Sequence, residues 1–293
     1  MAHVLNRVSN LQSLGIRAHL LRHGEVVLAL KSMRNLHRLI FHDILSIDHA
    51  LKILSQLTSP LTYICLYNLD EDADDISCTL PIISKFSQSL EEVKLSWPSL
   101  PGTPLAENIF PCFKVTRLTI IAYRGPLLST LVPAFPNLQT LVIQVGDYLY
   151  PYPADEAALA ALRDDSLVFQ ENHQIWASLA FTRFLDDIAL LNIRMLNCQF
   201  EAPSPIFRDI ELWGPLDMRA WMDMFDELSG HTLTALPNLD AMRFAVISNS
   251  EAWLQGYWRV ERLHGGVVKR EVVDQDDCVT IHDIDAMLIP HLA

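Results

Sequence analysis

Four stretches of the chain write one pattern. They are SNLQSLGI (Ser9 to Ile16), MRNLHRLIF (Met33 to Phe41), FPNLQTLVI (Phe135 to Ile143) and LPNLDAMRF (Leu236 to Phe244). Each reads Asn-Leu, two variable residues, Leu or Met, one more residue, then an apolar residue. The loose form, Leu-x-x-Leu-x-Leu with any large apolar residue at each anchor, arises by chance roughly a dozen times in so apolar a chain. The strict form, Asn-Leu-x-x-Leu/Met, is expected less than about once, yet it starts at Asn10, Asn35, Asn137 and Asn238.

Spacing strengthens the pattern. First anchors at Leu11, Leu36, Leu61, Leu90, Val115 and Leu138 recur at intervals of about 23 to 29 residues, a period typical of stacked repeats. Beyond Leu138 the rhythm loosens, and Leu190, Phe207 and Leu239 are taken as the later anchors. Residues 145–189 then hold either an insertion or a degenerate repeat. Between anchors, residues 24–33, 46–57, 76–90, 125–135 and 217–230 have the spacing of amphipathic helices, the last capped by Asp217 and ended by Gly230. Each unit is expected to be a short strand, a turn and a helix leading to the next strand.

Burial explains the repetition. Ordering 25 residues costs about 40 kcal/mol at roughly 1.5 kcal/mol each, and a few buried anchors return about 2–3 kcal/mol apiece. One unit cannot fold alone, but stacked units bury each other's anchors and align their strands in a parallel sheet. The Asn before each first anchor is expected to bond backbone of the turn leading into its strand.

These lines resemble the leucine-rich repeats, and FPNLQTLVI and LPNLDAMRF look especially like the irregular repeats that follow the F-box in fungal F-box proteins. The resemblance covers roughly residues 9–250. It implies an α/β leucine-rich-repeat solenoid, irregular, over 1–250. It also implies a protein-binding module serving as the substrate-recognition part of an F-box-type ubiquitin ligase receptor. The family often places Asn or Cys three residues past its third anchor, and Leu190-Ile193-Met195 followed by Cys198 and Phe200 keeps this best. No F-box is found: the repeats begin within ten residues of Met1, and LPGTPLAENIF (100–110) sits where a helix is needed. A cullin adaptor is therefore a partner only if an F-box is present, and a stand-alone repeat scaffold is the alternative. An enzyme with a cleft under 145–189 ranks lower.

Residues 251–293 read as a cap. YWRVERLHGGVVKREVV (Tyr257 to Val273) places two β-prone runs around Gly265-Gly266, a hairpin signal, and IHDIDAMLIPHL adds a final helix.

In a leucine-rich repeat the residues flanking the middle anchor project from the inner strand face, which is usually concave. On this reading they are Arg17, Arg38, His42, Tyr63, Tyr67, Lys94, Arg117, Arg194, Glu211, Trp213 and Arg243. Basic members outnumber acidic ones, although the whole chain has 22 Lys and Arg against 35 Asp and Glu and a net charge of -13. Arg, Tyr and Trp are common interface anchors, so the expected partner is a protein with an acidic patch. So acidic a chain is a poor general binder of nucleic acid or of anionic membrane.

Catalytic and metal signals are weak. Asp70 to Asp75 lacks the glycine and distal glutamate of a calcium loop and reads as a solvated loop, and a surface for a basic partner is another use for it and for Asp274 to Asp277. His37 and His42 would point to opposite faces of one strand, and Cys278 with His282 and Asp283 is no more than a chance grouping. No phosphate-cradling glycine loop and no nucleophile or zinc motif occurs, so no catalytic, metal or cofactor residues are assigned. Five scattered cysteines, no apolar signal core at the start and no run of about 18 apolar residues lead us to expect a cytoplasmic or nuclear protein.

Overall fold

The computed structural model describes residues 10–42, 53–66, 83–97, 111–124, 133–148, 185–186, 188–201, 215–248, 251–262 and 268–272. Ten strands form one sheet in sequence order: β1 (Ser13–Arg17), β2 (Arg38–His42), β3 (Tyr63–Leu66), β4 (Glu92–Trp97), β5 (Arg117–Arg124), β6 (Thr140–Tyr148), β7 (Met195–Glu201), β8 (Ala241–Ser248), β9 (Glu251–Arg262) and β10 (Val268–Val272). β1 to β8 are parallel, and β9 and β10 return antiparallel. The chain is thus an α/β protein with a mostly parallel, solenoid-like open sheet.

The register shows why the anchors recur. Leu14, Leu39, Ile64, Val93, Leu118, Leu141, Leu196 and Met242 stand side by side across β1 to β8. Two residues on, Ile16, Phe41, Leu66, Leu95, Ile120, Ile143, Cys198 and Phe244 form a second row. Alternation sends both rows to one side, and all but the half-buried Leu14 are buried in one core. The first anchors Leu36, Leu61, Leu90, Val115, Leu138, Ile193 and Leu239 join them.

Hydrogen bonds repeat with the rungs. One carbonyl just before each strand accepts two N–H groups from the next rung: Gln12 from His37 and Arg38, His37 from Thr62 and Tyr63, Thr62 from Glu91 and Glu92. Glu91, Thr116, Gln139 and Arg194 do the same in turn. The Asn side chains reach the neighbouring rung instead of their own turn. Asn35 donates to the Asn10 side chain at 3.3 Å, Asn137 to the Phe113 carbonyl at 2.8 Å, and Asn238 to the Asn192 side chain at 2.8 Å. Asn137→Ala should therefore lower unfolding stability by about 0.5–1.5 kcal/mol, measured by urea denaturation, and loosen the contact between two rungs without changing the strand count.

Three expectations are corrected. Leu190 is not an anchor: it is 86% exposed, and Ile193, Leu196 and Cys198 fill the three anchor positions of that rung. No strand stands between β6 and β7, or between β7 and β8, because each pair is directly hydrogen-bonded. Residues 149–184 and Phe207 themselves lie outside the described residues. Gly230 does not end its helix, which runs through it from Pro215 to Ala235. Burial of Phe225, Leu228 and Thr232 along one side outweighs a glycine penalty of about 1 kcal/mol. The Thr232 hydroxyl satisfies itself on the Leu228 carbonyl at 2.7 Å.

Two α-helices are described. α1 (Gly24–Ser32) buries Val26, Ala29 and Leu30 and leaves Leu28 exposed. α2 (Pro215–Ala235) sets Phe225 5.8 Å from Phe244, which lies 5.5 Å from Trp258 of β9. Within the expected helices 46–57 and 76–90, the described residues form short helical turns over 53–56 and 83–89. There Lys85 Nζ donates to the carbonyls of Ser55 and Leu57 at 2.5 and 2.8 Å, closing one turn with the next. The expected hairpin is present as β9 and β10, and its turn, 263–267, lies outside the described residues, as does the final helix. β9 also runs along β8 in the same sheet, so the strands continue across the expected boundary at 250/251. No helix among the described residues is long and apolar enough to cross a membrane.

Buried thiols follow from the core. Burial pushes the Cys112 thiol up from 9.0 to about 11, and it pushes Cys198, an anchor, well above the usual thiol range. The folded chain keeps a proton on Cys112 that the unfolded chain gives up near pH 9. That preference stabilises the fold below pH 9 and is lost as pH rises through about 11. Urea midpoints should fall across this window, and Cys112→Ala should flatten part of the fall.

Candidate functional site

The residues between the anchors occupy the opposite face of the sheet. Across the described residues of β1 to β8, over the five register positions set by β1, the charged residues there are Arg17, Arg38, Lys94, Arg117 and Arg243 against Glu92. His42 joins them as the register partner of Arg17. Neighbouring strands are about 4.8 Å apart, so the fold gathers residues more than 200 positions apart in sequence onto one surface.

The face is not uniform. Arg17, Arg38 and His42 are exposed, and Lys94 and Arg117 are half-buried. Arg117 is the register partner of Glu92, and Lys94 follows Glu92 by two residues on the same strand. Tyr63 and Arg243, expected to project into solvent, are only 9% and 5% exposed. Tyr63 lies outside the apolar core cluster, with the Arg38 guanidinium 4.2 Å from its ring centre. Burial, with help from Cys65 and Glu92, drives the Tyr63 hydroxyl above its ordinary range, against the pull of Arg38. Arg243 lies 5.3 Å from the Tyr257 ring centre and donates to Gln255 at 2.8 Å, and Tyr257 donates to the same oxygen at 3.0 Å.

Arg194 is not on this face. With the anchors at Ile193, Leu196 and Cys198, Arg194 falls just before β7, where it pairs with Asp240 at 2.5 Å. Asp240 also holds Arg262 at 3.1 Å, and Arg262 donates to the Leu239 and Pro237 carbonyls. These contacts fasten β7, β8 and β9 together at their edge. Tyr67, Glu211 and Trp213 lie outside the described residues, as do Asp70 to Asp75, Asp274 to Asp277, Cys278, His282, Asp283 and the stretch 100–110. His37 sits before β2, its Nδ1 3.3 Å from the Pro60 carbonyl.

Sequence reasoning missed Gln255, Tyr257 and Arg259, which continue the face on β9 opposite Ala245, Arg243 and Ala241. Their alternation with the buried Gly256, Trp258 and Val260 was the available signal. Reading this segment as a terminal cap hid it.

Away from the face, an open cavity of about 430 Å³ is lined by Leu185, Asp186, Gly230, His231, Thr234 and Ala235. It holds one carboxylate and one imidazole, and His231 lies 3.8 Å from Glu227 on its own helix. Among the described residues no group of three His, Cys, Asp or Glu could hold a metal ion. No protein-family model matches the chain, and neither a curated protein nor a solved structure matches it.

Proposed function

We propose that this chain is a leucine-rich-repeat binding module whose inner strand face, the one opposite the core, takes a protein partner bearing an acidic patch. The observation that carries the reading is charge inversion: five basic residues against one acid among the described residues of that face across β1 to β8, in a chain of net charge -13. Complementary charge steers encounter and excludes wrong partners. The ligase half of the proposal, delivery of the partner to a ubiquitin ligase, rests on the likeness of FPNLQTLVI and LPNLDAMRF to repeats that follow an F-box.

The test is affinity purification of the tagged chain from its source cells beside a variant carrying Arg17→Glu, Arg38→Glu, Lys94→Glu and Arg117→Glu. Proteins recovered with the native chain and lost with the variant support the face. A cullin adaptor among the recovered proteins supports the ligase role, and its absence leaves a stand-alone scaffold. Identical recovery by both chains removes the proposal.

A further inference from the structure

The cationic residues of the face differ in what they can still reach. Arg243 is buried and already bonded to Gln255. Lys94 and Arg117 flank Glu92. At the β1–β2 end, Arg17, Arg38 and His42 are all exposed, and neither strand, SLGIR or RLIFH, carries an acid. No ion pair joins these three to a carboxylate among the described residues.

Their layout is specific. Arg38 and His42 stand at opposite ends of β2, four residues apart, which is about 13 Å along an extended strand. Arg17 lies beside His42. Between the two charged ends the surface is formed by Gly15 and the half-buried Ile40, register partners on the same face. Gly15 leaves the room that the His42 ring uses: a Cβ there would lie 2.6 Å from His42 Nε2. The Arg38 guanidinium is held over Tyr63, so little freedom is lost when it engages a carboxylate.

We infer that the β1–β2 end of the face is a subsite for an extended acidic peptide with acids at positions i and i+4 and an apolar residue at i+2. The central side chain rests on Gly15 and Ile40. One acid meets Arg38, and the other meets Arg17 and His42. Gly15 is a positioning residue, because it sets where the His42 ring lies. This inference rests on the binding-face reading and sharpens it to one end of the sheet.

The probe is a fluorescein-labelled peptide containing Glu-Ala-Leu-Ala-Glu, followed by anisotropy at two salt concentrations, with the Lys-Ala-Leu-Ala-Lys peptide as control. The native chain should bind the acidic peptide in a salt-sensitive way and ignore the control. Arg17→Gln with Arg38→Gln should weaken binding about tenfold or more, the scale of losing close charge pairs. Lys94→Gln with Arg117→Gln should weaken it less than about threefold. Gly15→Ala should weaken binding while circular dichroism stays native, and moving the two acids to adjacent positions should do the same to the peptide. Equal losses from both double variants would overturn the subsite but leave the face. Binding of neither peptide, or of both alike, would overturn the subsite, while the face stands or falls separately on the recovery experiment with the four-residue variant. The glutamine variants keep most of the side-chain bulk, and native circular dichroism shows that any loss comes from binding.

Discussion

Phe244→Ala should destabilise the chain by about 3–5 kcal/mol, the cost of emptying a well-packed aromatic site. Phe244 is fully buried, and its ring stands between Phe225 of α2 and Trp258 of β9. It is therefore a residue through which the long helix and β9 share one core. The cavity has little means of collapse, because the register with β7 and β9 fixes the backbone on both sides. Urea unfolding followed by tryptophan fluorescence checks this. A loss below about 1 kcal/mol would mean that α2 does not pack there. The neighbouring Gly256 makes a related point: a Cβ at that position would run into the Trp258 ring, so the indole depends on the absence of a side chain.

Leu118→Ala should cost about 2–5 kcal/mol, with a different signature. Leu118 is buried in β5 between Val93 of β4 and Leu141 of β6. In a stack where each rung is held by its neighbours, damage spreads to the adjacent rungs first. Hydrogen exchange should quicken in β4, β5 and β6 before it quickens in β1 or β8. Uniform quickening along the whole sheet would instead describe a single cooperative unit and contradict the rung-by-rung account.

Much of this architecture was legible in the sequence. The anchors from Leu11 to Leu138 stand out because a strand of this kind must bury two alternate residues and a third just before it, at near-constant spacing. The later rungs were harder for a physical reason. A long connection between β6 and β7 resets the count, and spacing then no longer chooses among neighbouring apolar residues. Leu190 offered a leucine at an acceptable place, while the true triple, Ile193-Leu196-Cys198, ends in a cysteine. That three-residue slip carried Arg194 onto the wrong surface. The role of Asn in bonding across rungs was also hidden, since Asn10 and Asn35 are 25 residues apart in sequence and meet only after the strands align.

Burial on the face opposite the core was not legible at all. Alternation decides which side of the sheet a residue takes, not what else lies over that side. Arg38 and Arg243 share a face, yet one is exposed and the other is nearly inaccessible. The uneven exposure shifts attention from the whole face to its β1–β2 end.

Every assignment on that face depends on the register, because a one-residue slip would exchange the two sides of the sheet. The measurement that tests it most directly is thiol labelling of single cysteines placed at Arg38 and at Leu39, in a chain whose five native cysteines are replaced by alanine. With β2 as described, the Arg38→Cys chain labels rapidly while folded, and the Leu39→Cys chain resists labelling until urea unfolds it. Rapid labelling at 39 with protection at 38 would place the cationic residues in the core and contradict the binding face.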